Sequence, residues 1–181
     1  MLFLLLKILN FAMIKQGKRL KKNIAIVSLS NNYSRIISKN IADFLELFYV
    51  DLNDIMEYNM VNDKMLESAG KEYFEKERQK VICGVAEFEN SLVTGDVELF
   101  LANENFEIFK KNYILIYLYF ENNNLIRIEN TFQNMRNLVA YKEEDEICKK
   151  NCDVVVYMKD NFDANINEIK KSLIKYLEEK V

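Results

Sequence analysis

From Asn23 onward, short runs dense in β-branched and aromatic residues alternate with amphipathic stretches at helical spacing, and this alternation limits the chain to a small set of layered folds. The strand-like runs are IAIVSL (24–29), FYVDL (48–52), SLVTG (91–95), YILIYLYF (113–120) and DVVVYM (153–158). Between the first two lies a helix whose apolar face is Ile37, Ile41, Phe44 and Leu45, spaced i, i+4, i+7 and i+8, entered from the first loop at about Asn32 or Tyr33. A long polar helix is expected over 62–87, a short one in NFEIFKKN, another around EEDEICKKN, and a terminal helix with Ile166, Ile169, Leu173 and Leu177 inward. Short buried strands separated by helices pair in parallel through crossovers. The expectation is an α/β fold of three layers, a five-stranded parallel sheet with helices on both faces. Ligands of such sheets bind at the carboxyl ends of the strands. That directs attention to 28–35, 51–54, 94–97 and the polar patch near 120–137, whose Asn-rich stretch over 122–137 reads as a loop or lid.

Composition narrows the function. A chain of 181 residues, half of them hydrophobic, has the length of one domain and enough apolar material to close its core. The balance of 25 Lys and Arg against 28 Asp and Glu provides no basic excess for a nucleic-acid backbone. The chain contains no His, which removes imidazole bases, Ser-His-Asp and Cys-His systems and the commonest transition-metal ligand. Three cysteines, Cys83, Cys148 and Cys152, make neither a disulfide framework nor a four-ligand zinc site, and they indicate a reducing, cytoplasmic setting. With four Gly and no Pro, a glycine-rich anion-cradling loop is scarcely available.

Residues 1–22 stand apart as an apolar and then basic extension. The apolar run over 1–14 is interrupted by Lys7 and Asn10 and is shorter than the ~20 residues a spanning helix needs. Its charges, Lys15, Lys18, Arg19, Lys21 and Lys22, follow the run, opposite to a secretory signal. An upstream start codon, with Met13 opening the natural beginning, is the preferred reading. An interfacial helix for a membrane or partner and an extra packed helix are the others.

The block NIAIVSLSNNYSRIISKNIADFLELFYVDLND resembles the start of shikimate kinase, a small P-loop kinase. Four later fragments extend the likeness in order: GKEYFEKE (70–77), SLVTGDVE, MRNLV (135–139) and EDEICKKNCDVVV. The resemblance implies a P-loop kinase fold of the nucleoside monophosphate kinase type over 23–181, with a lid near 122–137. It implies ATP and magnesium as cofactors and shikimate as acceptor.

Residue by residue, the resemblance puts Ser28 on the first glycine of GxxxxGK(S/T) and Asn31 and Asn32 within the loop. Tyr33 falls on the second glycine, Ser34 on the lysine and Arg35 on the hydroxyl that holds magnesium. Asp51 and Asn53 fall on the two acidic positions after the second strand. Glu75 stands where an arginine grips the substrate carboxylate, with Arg78 one turn on. Thr94 and Gly95 are kept in the glycine turn while Asp96 and Val97 replace two glycines, and Arg136 is kept in the lid. Glycines, lysine and hydroxyl together converge on the phosphates and the metal, and here other residues stand in all three places. A Glu75 carboxylate would repel an anionic acceptor, and Asn53 is a poor base.

Asp51 is the best remaining catalytic candidate, and by residue type it also reads as the cap of the following helix. Glu75 and Arg78 read as an i, i+3 pair. The expectation is therefore a shikimate-kinase-like domain with a degenerate phosphate loop, a pseudokinase with a binding or regulatory role and no cofactor. A small molecule or a protein at the strand carboxyl ends would be its ligand. The alternatives are an active shikimate kinase using ATP and magnesium, and a scaffold docked on a membrane or partner through its N-terminal segment.

Overall fold

The structure is a computed structural model that describes residues 23–102, 104–120 and 135–180, with Asn31 and 135–141 described by their backbone alone. Five strands, β1 (Asn23–Ser28), β2 (Phe48–Asp51), β3 (Ser91–Thr94), β4 (Tyr113–Tyr119) and β5 (Val154–Tyr157), form one sheet in the order β2-β3-β1-β4-β5. Every pairing is parallel; Ile24 lies between Leu92 and Ile114, and Asp51 is opposite Thr94.

The helices are α1 (Asn31–Leu45), α2 (Leu52–Tyr58), α3 (Asp63–Ala69), α4 (Lys71–Ala86), α5 (Val97–Leu101), α6 (Asn105–Lys110), α7 (Met135–Asn151) and α8 (Phe162–Glu179). The apolar stripes of α1 (Ile37, Ile41, Leu45) and α8 (Ile169, Leu173, Leu177) cover one face, against Ile24, Ile26, Ile114, Ile116 and Leu118. Helices α2, α4, α5, α6 and α7 cover the other through Leu52, Ile82, Phe100, Phe109 and Cys148, against Ala25, Val27, Leu115 and Tyr117. Alternate residues of β1 and β4 thus enter opposite cores, which is why both strands read as unbroken apolar runs. Each fully buried Ile or Leu contributes about 1.5–3 kcal/mol, so the two faces, and not helix propensity, hold the layers together.

Three sequence expectations change in detail. The polar helix expected over 62–87 is two helices, broken at Gly70, whose φ of 83° ends α3 and starts α4. The stretch expected as phosphate loop, Ser28 and 31–35, is mostly not a loop. The strand ends at Ser28 and α1 already begins at Asn31, one to two residues earlier than expected, leaving Leu29 and Ser30 as the connection. The expected lid shortens too, because 135–137 belong to α7; its remainder over 122–134 lies outside the described residues, as does the 1–22 extension. Among the described residues no helix is long and apolar enough to cross a membrane.

Candidate functional site at the carboxyl ends of the strands

The β1–α1 junction is tied internally. Ser28, fully buried at the end of β1, accepts a 3.1 Å hydrogen bond on its Oγ from the Ser30 N–H. Ser34, also buried, donates its backbone N–H to the Ser30 carbonyl at 3.0 Å, the first bond of the helical ladder. Among the described residues the buried Ser30 hydroxyl has no hydrogen-bond partner, and it does not cap the helix. Asn32 is exposed on the first turn.

One turn into α1, Arg35 points to the β2 side. Its Nε lies 2.5 Å from Asp51 Oδ2, and a terminal nitrogen lies 2.5 Å from Asp54 Oδ1. The Asp51 side chain is 1% exposed and that of Arg35 41%, so the pair joins a buried carboxylate to a guanidinium that water still reaches. Asp51 also accepts the Asn53 N–H at 2.9 Å, capping α2, and the Tyr49 hydroxyl at 3.1 Å. Burial pulls the Arg35 pKa down, but Asp51 and Asp54 outweigh it and hold the guanidinium above its ordinary value. The Tyr49 phenol is pushed up by burial first and then by the Asp51 charge, so it stays a donor.

Asn53 extends the cluster to β3 by accepting the Asp96 N–H on its Oδ1 at 2.9 Å. Between them sits Gly95. A Cβ there would lie 2.7 Å from Leu52 Cβ and 3.2 Å from Asn53 Oδ1, so only glycine permits this approach of β3 to α2. Thr94 faces inward, donating its hydroxyl to the Ile26 carbonyl at 3.1 Å.

Tyr33 turns the other way, toward β4 and β5. Its ring packs edge-on to Phe120 at 4.9 Å between centroids and to Phe162 at 6.1 Å. Its hydroxyl accepts a 2.5 Å hydrogen bond from Asn165 Nδ2. Glu75 and Arg78 pair with each other on α4 at 2.6 Å, and Arg78 lies 5.7 Å from the Phe74 ring. The backbone of Arg136 lies in the first turn of α7; its side chain is outside the described residues.

Of the expected positions, Arg35, Asp51, Asn53 and Gly95 meet in one cluster, Tyr33 belongs to a second, and Glu75 with Arg78 bond within their own helix. Asp54 and Phe120 fall within the segments the sequence marked for attention without a role of their own, and sequence reasoning missed Tyr49, Phe162 and Asn165. The signal for Asp54 is its place three residues after Asp51 at a helix start. The contact between Tyr33 and Asn165 spans 132 residues and had no local signal. Among the described residues no group of three or more Cys, Asp and Glu is placed to hold a metal ion.

This sheet order with a helix entered directly from the central strand is the P-loop kinase fold, and solved kinases superpose on it. Shikimate kinase from Bacteroides thetaiotaomicron matches with a TM-score of 0.69 at 16% identity, over 84% of this chain and 98% of that one. Shikimate kinase from Acinetobacter baumannii in complex with shikimate gives 0.63 at 20% identity, over 88% and 94%. Dephospho-CoA kinase from Campylobacter jejuni gives 0.57 at 11% identity, over 90% of this chain and 100% of that one.

By sequence, residues 35–178 match the family described as shikimate kinase, and the chain belongs to that family. The matched span opens at Arg35. A shikimate kinase from Caldicellulosiruptor bescii is 29% identical over 100 residues, covering 54% of this chain and 58% of that protein. One from Caldicellulosiruptor saccharolyticus is 25% identical over 108 residues, covering 59% and 63%, so each match spans under two thirds of its relative.

Proposed function

We propose that this chain is a pseudokinase of the shikimate kinase family, a domain that keeps the fold and serves in binding or regulation of a small molecule or protein at the strand carboxyl ends. The observation that carries the reading is the Arg35–Asp51 ion pair. The family resemblance assigns position 35 to the hydroxyl that holds magnesium and position 51 to an acidic strand end. Here a guanidinium covalently attached to the chain is the cation beside Asp51.

Magnesium takes six oxygen ligands at about 2.0–2.1 Å in near-ideal octahedral geometry. The residues present do not fit it: Arg35 offers N–H donors in place of an oxygen, and Asp51 is engaged by Arg35, Tyr49 and Asn53. The phosphate side agrees. Ser34 stands in place of the lysine, and its backbone N–H is committed to the Ser30 carbonyl. Phosphoryl transfer depends on positioning and on charge stabilisation, and a single preorganised donor is worth about 10²–10³ in rate, so the joint loss of lysine and metal removes useful turnover. No cofactor is therefore expected.

A coupled ADP-release assay on the natural chain with ATP, magnesium and shikimate is the direct test, with a rate at background expected. Family membership favours one other reading, an active shikimate kinase using ATP and magnesium through a rearranged loop. Shikimate-dependent ADP release that Asp51→Ala abolishes would establish it and overturn the first.

A further inference from the structure

Tyr33, Phe120, Phe162 and Asn165 form a second cluster above the carboxyl ends of β4 and β5 that the reading above does not use. Asn165 is 1% exposed and its amide orientation is set from both sides. Oδ1 accepts the Lys159 N–H at 2.8 Å, and Nδ2 donates to the Lys159 carbonyl at 2.7 Å. That uses one of the two hydrogens on Nδ2. The other meets the Tyr33 phenol oxygen, which therefore serves as the acceptor for a buried donor. Phe120, 3% exposed, and Phe162 present ring edges or faces to the same phenol from the end of β4 and the start of α8. Two elements distant in sequence from α1 thus converge on its one planar ring and the oxygen at its rim. Burial raises the Tyr33 pKa although the Asn165 hydrogen bond opposes it, so the ring remains neutral at physiological pH.

We infer that Tyr33 is an internal ligand: its phenol occupies a slot, walled by Phe120 and Phe162 and read by Asn165, that takes a planar aromatic ring carrying a hydrogen-bond acceptor at its edge. The inference deepens the reading of a kinase fold whose crevice is filled by its own side chains, and it names the chemistry of the side that Tyr33 closes. Arg35 and Tyr33 project from the same turn of α1 in opposite directions, toward β2 and toward β5. The natural chain is thereby self-occupied on both sides of β1. Shortening Tyr33 leaves aromatic walls and one unsatisfied N–H, which a ring with an edge acceptor matches and a plain hydrocarbon ring does not.

The test uses p-cresol, the Tyr side chain as a free molecule, and toluene, the same ring without the oxygen. Tyr33→Ala in the full chain is expected to melt several degrees below the natural protein and to recover part of that loss in saturating p-cresol. Toluene should recover less, and p-cresol should leave the natural chain within a degree. Should Tyr33→Ala not fold, Tyr33→Val, which leaves a smaller void, carries the same comparison. Equal responses of variant and natural chain to p-cresol, or equal rescue by p-cresol and toluene, would overturn the slot. Neither readout depends on phosphoryl transfer, so a failure here is distinct from ADP release by the natural chain, which bears on the pseudokinase reading alone.

Discussion

Replacing Arg35 by Ser removes the attached cation and restores a hydroxyl at the position the family resemblance gives to the magnesium ligand. Two contacts are lost. The one to Asp54, whose side chain is 67% exposed, is worth ~0–1 kcal/mol as a surface pair. The one to Asp51 matters more, because breaking a buried pair costs about 3–5 kcal/mol when a charge is left alone. Two features reduce that figure: Asp51 keeps the Tyr49 hydroxyl and the Asn53 N–H, and the 41% exposure of Arg35 means water can reach its place. A loss of about 2 kcal/mol follows, which at ~2–4 °C per kcal/mol for a chain of this size lowers Tm by roughly 4–8 °C.

The variant then has two carboxylates and a hydroxyl open to a hard cation. Magnesium at about ten times its Kd would return RT ln 11, about 1.4 kcal/mol, most of what was lost. Thermal and urea melts of both chains, with EDTA and with magnesium chloride, measure both effects. The natural chain should be unmoved by magnesium, and Asp51→Asn added to the variant should abolish its response. Magnesium raising both chains equally, or Arg35→Ser melting with the natural chain, would refute the argument that Arg35 stands in for the metal.

Restoring the loop in full, by Asn31→Gly, Tyr33→Gly, Ser34→Lys and Arg35→Ser, should bring magnesium-dependent nucleotide binding measurable by calorimetry but little shikimate phosphorylation, since the resemblance puts Glu75 at the position where an arginine would hold an anionic acceptor. Gly95→Ala should cost ~1–3 kcal/mol, because its Cβ would sit 2.7 Å from Leu52 Cβ in a fully buried contact; a lowered urea midpoint and faster exchange of the Asp96 amide would report it. Burial first, then Asp145 and Glu144, pushes the Cys148 thiol up to about 12, so its stabilising effect is complete below the ordinary thiol value of about 8.5 and is lost as pH rises toward 12. Alkaline melts of Cys148→Ala should show a shallower fall than those of the natural chain, and iodoacetamide should label exposed Cys83 in the folded protein while sparing Cys148.

The architecture was legible in the sequence because it is written in short-range periodicity. β4 and the 24–27 run of β1 are apolar at every position since both faces are covered, and α1 and α8 carry their inward residues at i, i+4 and i+8, patterns that need no knowledge of the partner. Asp51 ending a strand before a helix likewise revealed its capping role, which is a bond of two residues' reach. What the sequence could not determine is where two nearby side chains go once the helix sets their directions. Arg35 and Tyr33 are two residues apart in one polar stretch, yet the helical twist of about 100° per residue sends one to Asp51 on β2 and the other to Asn165 on α8. Whether α1 starts at Asn31 or two residues later is also decided by tertiary packing, since Ser30 makes no side-chain cap there. Local sequence specifies which residues bury, because burial follows a period; it leaves open which distant group a polar side chain meets, because that depends on how the crossovers bring strand ends together.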